Sequence, residues 1–205
     1  MIMARKAIVD GFEIGEEAVK FELDRLVRFY AQHGMSADEV RKCLPELEEK
    51  ALDQAIGARL LLVRAMQLDM PVSAADIDAE VSKVVTQIGG PENYRRALES
   101  QGISEEAFRA ELAKGAKVNK LVAQACSGVS DPTDDEVAKF YEAYKADYGG
   151  KTLVDVHDQI KDLLRHEARG RAMDAFVADL KSKAKIEYRD AEHCDCGCGH
   201  HHHHH

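Results

Sequence analysis

The feature that most restricts the fold of this chain is the position of its β-prone segments, which lie at its two ends with helical patterns between them. Near the start, KAIVDGFEI contains an apolar run from Ala7 to Val9 that is closed by the turn dipeptide Asp10-Gly11, which predicts one or two strands. Near the end, AKIEYRD alternates Ile186 and Tyr188 with charged residues, as an edge strand does. A lone strand leaves backbone amides and carbonyls unmatched, so the two ends are predicted to pair with each other. The expected fold is mainly α, with a short two-stranded pairing that closes one helical body.

Seven or so amphipathic helices are predicted between these ends, because apolar residues recur there at spacings of three and four. Capping boxes mark some helix starts, at Ser36–Glu39 and Thr133–Glu136. One long helix is predicted to run until Pro71, which lacks an amide hydrogen and stops it. The last helix is predicted from about Leu153 to Lys183. Its expected apolar face comprises Val156, Ile160, Leu163, Met173, Phe176, Val177 and Leu180.

The charge pattern argues against two classes of partner. The formal net charge is -9, and Lys and Arg are interleaved with Asp and Glu, so no nucleic acid partner is expected. With 32% charged residues, the chain is also too charged for a membrane protein. No N-terminal stretch combines a basic region, an apolar region and a small-residue cleavage site, which predicts a cytoplasmic location for the chain as written. If a leader was removed, the expected location is extracytoplasmic or periplasmic.

The sequence contains no constellation typical of an enzyme. GxGxxG after a strand, a Walker loop, HExxH and GxSxG are all missing from it. His157 and His166 lie nine residues apart on the last helix, which is not the i, i+4 spacing of metal ligands, so both are interpreted as solvated. The chain itself is therefore predicted to be no enzyme and to require no cofactor.

An aromatic stripe precedes the last helix. Phe140, Tyr144 and Tyr148 are spaced i, i+4, i+8 and would share one helix face. Core contact against the last helix is one interpretation of this stripe. The other is a partly open apolar cradle for another polypeptide, to which the flexible, polarizable side chains of Met66 and Met70 would be suited.

The tail EHCDCGCGH is compositionally unusual. Cys194, Cys196 and Cys198 alternate with small or acidic residues, and a turn could gather them with His193 around a soft metal such as nickel or zinc. The alternative is an engineered or incidental tail without a metal. The run His200 to His205 is interpreted as an affinity tag. Cys43 and Cys126 lie in helical patterns and are expected to be small buried hydrophobes.

Several weak motifs, taken in order, resemble the SurA/PrsA-type parvulin family between about Ile8 and Tyr188. The segment LDQAIGARLLLVRAMQLDMPVSAADIDAEVSKV is similar to the family's long helix, break and following helix. GGPENYRRALESQGISEEAFRAELAKGAKVNKLV and DPTDDEVAKFYEAYKADY resemble the next two stretches of the family. DVHDQIKDLLRHEARGRAMDAFVADLKSKAKIEY resembles the part that follows the family's catalytic domain, including the closing strand.

The resemblance implies a SurA/trigger-factor-like chaperone domain. In this family a parvulin peptidyl-prolyl isomerase domain lies between the aromatic helix and the last helix, and here Gly149-Gly150 occupies that point without the family's catalytic residues. The implied parent is a peptidyl-prolyl isomerase whose catalytic insert is missing from this chain. The implied function is holding unfolded or nascent polypeptides without nucleotide, with Met66, Met70, Phe140, Tyr144 and Tyr148 as candidate peptide-binding residues.

The domain boundaries expected on this basis follow the glycine joint. Residues 1–148 form the N-terminal helical region with a sub-lobe at 73–127, 149–150 the joint, and 151–190 the completing helix and strand, followed by the Cys-rich tail at 191–199 and the tag. Two other functions stay open. One is a dimerising module in which the last helix and strand swap between two copies, with the joint as the hinge. The other is a metal-handling protein that uses the tail.

Overall fold

The computed structural model describes residues 5–190, which fold into eight α-helices and three short strands. The helices are α1 (Glu16–Gln32), α2 (Ala37–Lys42), α3 (Leu44–Gln67), α4 (Ala74–Gln87), α5 (Pro91–Gln101), α6 (Glu105–Ala125), α7 (Asp134–Tyr144) and α8 (Leu153–Lys183). The strands are β1 (Arg5–Val9), β2 (Phe12–Glu13) and β3 (Ile186–Asp190), and a 3₁₀ turn covers Lys145–Tyr148. The mainly-α fold predicted from the sequence is confirmed.

The two ends of the described chain form one antiparallel sheet with the strand order β2-β1-β3. Val9 lies opposite Ile186, so the predicted pairing of the first and last strands is confirmed. The sheet has three strands rather than two. Asp10 and Gly11 have φ values of 48° and 84°, which is the tight hairpin geometry that an Asp-Gly dipeptide favours, so the chain folds back and β2 pairs with β1.

Several helices are followed by a residue with a left-handed backbone conformation and do not end at a proline. The helix α3 stops at Gln67, before Pro71, because Asp69 adopts a φ of 45° and the Met70 amide donates back to the Ala65 carbonyl at 3.3 Å. Lys117 Nζ lies 2.7 Å from the Asp69 carboxylate and lowers the pKa of that group. The prediction that Pro71 ends this helix is therefore wrong, because the helix has already ended when the chain reaches Pro71.

The described residues divide into two compact units. The first contains residues 5–57 and 184–190, that is, the sheet, α1, α2 and the first part of α3. Its buried core is Ala7, Val9, Ile14, Val19, Leu23, Leu26, Val40, Leu47, Ala51, Leu52, Ala55 and Ile56. Both chain ends are therefore needed to build this unit.

The second unit contains residues 58–183 and packs its helices in two groups. In one group α4 contacts α5 and α6, and in the other α7 packs along α8, with α6 also contacting α8. Buried residues of the unit include Tyr94, Leu121, Cys126, Val137 and Ile160. Among the described residues, no helix is both long enough and apolar enough to span a membrane.

Candidate functional site

A groove of about 610 Å³ lies within the second unit, between α7, α8 and the segment that leads into α7. Its lining residues are Ser130, Asp131, Pro132, Thr133, Glu136, Lys139, Phe140, Ala143, Tyr144, Leu164, Ala168 and Arg171. Three parts of the chain therefore form its walls.

The wall formed by α7 is fixed at its start by a capping box. The Thr133 Oγ1 accepts a hydrogen bond from the Glu136 amide, and the Thr133 amide donates to the Glu136 carboxylate at 2.8 Å. The Thr133 amide and the Thr133 hydroxyl both donate to the Glu136 carboxylate, which holds it in its charged form and lowers the pKa of Glu136. The capping box predicted from the sequence is thus confirmed, and it places Thr133 and Glu136 at the groove.

A small apolar core holds α7 against α8. Val137 and Tyr141 from α7 are buried with Val156 and Ile160 from α8, and Phe140 and Leu164 pack against this cluster from the groove side. Of the adjacent pair in α8, Leu164 makes this contact, whereas Leu163 is 42% exposed. The sequence analysis assigned Leu163 to the apolar face. That assignment is wrong, because a neighbouring pair of leucines leaves the helical register ambiguous.

The floor of the groove is aromatic and apolar. The rings of Phe140 and Tyr144 lie 4.6 Å apart, and Tyr144 is 51% exposed while Phe140 is half-buried. Ala143 and Ala168 line the groove with small side chains, which leave the rings accessible from the groove. An exposed tyrosine beside a half-buried phenylalanine offers apolar contact area with a polar hydroxyl at its tip.

The charges at one end of the groove are paired with one another. Arg165 Nε donates to the Asp131 carboxylate at 2.7 Å, which lowers the pKa of Asp131 and raises that of Arg165. Next to this pair, the Asp134 carboxylate lies 3.2 Å from His157 Nε2 and 3.4 Å from Lys161 Nζ. The hydrogen bonds from His157 and Lys161 lower the pKa of Asp134.

Two further side chains of the rim have ionic partners outside the groove. Lys139 Nζ lies 2.7 Å from the Asp135 carboxylate, and Arg171 Nη1 lies 3.8 Å from that of Glu167. The rim of the groove is therefore polar but nearly balanced in charge. Such a rim stays in contact with water around the apolar floor, and it favours neither a positively nor a negatively charged ligand.

The glycine joint between α7 and α8 is a tight turn. Gly149 and Gly150 have φ values of 60° and 85°, a backbone conformation that residues other than glycine rarely adopt. The Tyr141 hydroxyl donates to the Lys151 carbonyl at 2.8 Å, and Thr152 and Asp155 bond to each other at the start of α8. The domain-swapped dimer that would open at this joint stays a prediction.

The structure gives the five candidate peptide-binding residues different positions. Phe140 and Tyr144 line the groove, whereas Tyr148 does not. The helical stripe is broken because the last turn is 3₁₀, and Tyr148 stacks on Tyr141 at 5.9 Å instead. Met66 is 46% exposed and Met70 is half-buried beyond the end of α3, and neither lines the groove.

The sequence analysis missed the contribution of α8 to this site. Leu164, Ala168 and Arg171 follow Ile160 at spacings of four, four and three, so their common helix face was available as a signal once Ile160 was assigned to the core. The interpretation of His157 as merely solvated also changes, because its ring joins α7 to α8 through Asp134.

The predicted metal ligands His193, Cys194, Cys196 and Cys198 lie outside the described residues, so nickel or zinc binding there stays a prediction. Within residues 5–190, no group of three or more His, Cys, Asp or Glu side chains is arranged to hold a metal ion. Cys126 is buried, as expected, and Cys43 is half-buried.

Comparison with known proteins gives consistent results. Two Azotobacter proteins that are named as NifM peptidyl-prolyl cis-trans isomerases are similar to this chain. The protein from Azotobacter chroococcum is 27% identical over 163 residues, and that from Azotobacter vinelandii is 24% identical over 162 residues. Each alignment covers 72% of this chain and 55% of the relative, so the chain spans about half the length of these relatives.

Fold comparison agrees with this result. A solved structure of a SurA-like chaperone from Campylobacter jejuni superposes with a TM-score of 0.55 at 17% identity, covering 92% of this chain and all of that chain. The family model of the SurA-like N-terminal domain matches residues 3–122, which is more than half of the chain. These matches lie on the chaperone-type part of the family and support a role associated with chaperones and peptidyl-prolyl isomerases. This chain therefore belongs to the family of SurA-like N-terminal domains.

Proposed function

We propose that this chain is a holdase-type chaperone domain, which binds unfolded or nascent polypeptide segments in the groove between α7 and α8 without nucleotide. The observation that carries the proposal is the aromatic floor formed by the half-buried Phe140 and the exposed Tyr144. An unfolded client offers apolar and aromatic side chains that a folded protein buries, and these are the groups that such a floor can take from water.

The size and the chemistry of the groove both support this proposal. Its volume of about 610 Å³ falls within the range of about 300–1,000 Å³ that is typical of ligand-binding clefts. The charged rim residues already have partners, such as Arg165 for Asp131, so a client needs no particular charge in order to bind. We therefore expect broad specificity for short apolar segments.

Binding at this groove should be reversible and modest in affinity. A client segment loses conformational entropy when it is ordered, which offsets part of the gain from burying its apolar side chains. We expect release to be passive, with clients partitioning between the groove and their own folding.

The relatives named as isomerases support a further part of this proposal. We infer that this domain works beside a peptidyl-prolyl isomerase domain in a longer parent protein, and that Gly149-Gly150 marks where that domain connects. The joint brings the end of the 3₁₀ turn close to the start of α8, which is the arrangement that tolerates a domain inserted between two elements.

The groove can be tested with the substitution Tyr144→Ser. The measurement is light scattering from a chemically unfolded client protein that aggregates on dilution, with and without this protein. We expect Tyr144→Ser to lose most of the suppression of aggregation, because it removes the exposed ring from the floor. The helical content and the melting temperature should stay close to the original values, since the side chain is half exposed.

A matched control is Phe21→Ser on α1. Phe21 is 61% exposed, so this substitution removes an aromatic ring of similar exposure from the other compact unit. The control should suppress aggregation as well as the original protein does. Equal loss of suppression in both variants, or full activity of Tyr144→Ser, would contradict the assignment of the groove.

A further inference from the structure

A row of cationic side chains on α8 holds the segment that leads into α7. His157, Lys161 and Arg165 are spaced four residues apart, so they lie on one side of the helix. His157 and Lys161 both contact the Asp134 carboxylate. Arg165 contacts the carboxylate of Asp131, three residues earlier in the chain. These pairs fasten to α8 both the first residue of α7 and the segment in front of it.

The fastened segment is also a wall of the groove. It lines the groove with four consecutive residues, Ser130, Asp131, Pro132 and Thr133. Thr133 begins the capping box that fixes the start of α7, and Asp134 follows it directly. The position of this wall beside α8 therefore depends in part on the ion pairs that Asp131 and Asp134 form.

Among the three cations, His157 is the one whose charge changes near neutral pH. Lysine and arginine keep their charge there, whereas the ordinary pKa of histidine is about 6.5. The hydrogen bond to Asp158 is the largest cause that raises the pKa of His157, and Asp134 adds to it. The charged imidazolium donates from both ring nitrogens, whereas the neutral ring donates from one only and without the help of a charge. Loss of the proton therefore weakens the hold on Asp134.

The charged groups in contact with His157 come from both helices. Asp134 belongs to α7, and Asp158 belongs to α8. Lys161, one turn further along α8, shares Asp134 with His157 and keeps one ion pair in place when the histidine is neutral. Water reaches all of these side chains, which limits the size of the effect. We therefore expect deprotonation to loosen the wall without detaching it.

We propose that the binding of clients in this groove is controlled by pH through His157, with tighter binding when the imidazolium holds Asp134. This inference rests on the proposed chaperone function. When the wall is held in place, a client meets a preformed surface. When the wall is loose, part of the binding free energy is used to order it, so the affinity falls. A pH near 6 thus favours the holding of clients, and a rise toward pH 8 favours their release.

The test measures affinity for a permanently unfolded client at pH 6 and pH 8. The probe is reduced and carboxymethylated α-lactalbumin with a rhodamine label, and the readout is fluorescence anisotropy at a temperature where circular dichroism shows every variant to be folded. The original protein should bind about two- to fivefold more weakly at pH 8, which is the range expected for one exposed ion pair. His157→Gln should bind weakly at both pH values. His157→Lys keeps a charge at both, so it should bind tightly at both.

A matched control is His166→Gln, which removes an exposed histidine from the same helix. This variant should keep the pH dependence of the original protein. The run His200 to His205 and the client also titrate in this range, but they are the same in every measurement. The difference between variants therefore reports the charge at position 157 alone.

The variant Tyr144→Ser separates this proposal from the proposed function. If Tyr144→Ser binds the labelled client as tightly as the original protein, the groove is not the client site, and the control by pH is overturned with it. If Tyr144→Ser loses binding, the groove stands. In that case the control by pH alone is overturned if the original protein and His157→Gln change equally with pH, if binding tightens toward pH 8, or if His157→Lys binds no better than His157→Gln at pH 8.

Discussion

At the scale of single residues, the hydrogen bonds of His157 to Asp158 and Asp134 predict that stability depends on pH where α7 packs on α8. His157 Nδ1 lies 3.0 Å from the Asp158 carboxylate, and Nε2 lies 3.2 Å from that of Asp134. The hydrogen bond to Asp158 is the largest cause that raises the pKa of His157; burial opposes it, and Asp134 adds to it. Only the charged imidazolium can donate from both nitrogens, so neutral His157 must give up one of the two bonds.

The sign of the resulting pH dependence follows from the raised pKa. The folded state holds the proton of His157 more tightly than the unfolded chain, whose histidine pKa is about 6.5. The stabilisation is therefore complete below that value and is lost as the pH rises through the higher folded pKa. We expect the melting temperature difference between the original protein and His157→Gln to shrink as the pH rises above about 6.5.

The matched control for this prediction is His166→Gln, which changes an exposed histidine on the same helix. Its melting temperature should track that of the original protein across the whole pH range. A difference between the original and His157→Gln that stays constant with pH would show that the His157 proton is not linked to folding.

At the scale of elements, the left-handed joint between α7 and α8 gives a prediction with an internal control. Gly150 has a φ of 85°, so Gly150→Ala should lower the free energy of unfolding by about 1–2 kcal/mol, the cost of a left-handed conformation for a residue with a Cβ. Gly170 lies inside α8, with open space around the position of a Cβ, so Gly170→Ala should raise that free energy by about 0.5–1 kcal/mol. Urea unfolding measures both.

If the two alanine substitutions change the free energy of unfolding in opposite directions, the joint requires glycine because of its backbone conformation. Equal stability of Gly150→Ala and the original protein would instead mean that the turn adapts to a side chain without cost. Both positions lie within the same compact unit of the structure, residues 58–183.

The elements also show why some features were predictable from the sequence and others were not. Capping boxes such as Thr133–Glu136 are local, and the structure has them where the sequence indicates. The end of α3 depends on the left-handed Asp69, a conformation that asparagine and aspartate adopt only occasionally, so the nearby Pro71 was the stronger sequence signal. Tyr148 does not lie on the same face as Phe140 and Tyr144 because residues 145–148 form a 3₁₀ turn. The spacing of side chains in the sequence does not indicate such a change of helix type.

The candidate site was only partly predictable for a similar reason. Phe140 and Tyr144 were identifiable because they lie four residues apart on one helix, and both line the groove. Leu164, Ala168 and Arg171 belong to a different helix, and their meeting with α7 depends on how the two helices cross. Crossing geometry depends on packing over the whole contact, which a single sequence does not specify.

At the scale of the whole molecule, the proposed chaperone function should be separable from the peptidyl-prolyl isomerase function after which the relatives are named. The match to the SurA-like N-terminal domain covers the chaperone-type part, and this chain spans about half of those relatives. We expect the full chain to suppress aggregation of an unfolded client while giving no acceleration of prolyl isomerisation in a chymotrypsin-coupled peptide assay. Turnover that is well above the uncatalysed rate would contradict the prediction that this chain is not an enzyme.

The pairing of β1 with β3 also constrains when the molecule can finish folding. Asp10 and Lys185, which bond at the end of this pairing, are separated by 175 positions in the chain. Contacts so distant in sequence form slowly, since the intervening chain must first be drawn together. During synthesis the amino-terminal side of the chain is made first, so β1 must wait until the residues that separate it from β3 have been made. During that interval Ala7 and Val9, which are buried in the finished sheet, face water, so we expect the incomplete chain to be more prone to aggregate than the folded protein.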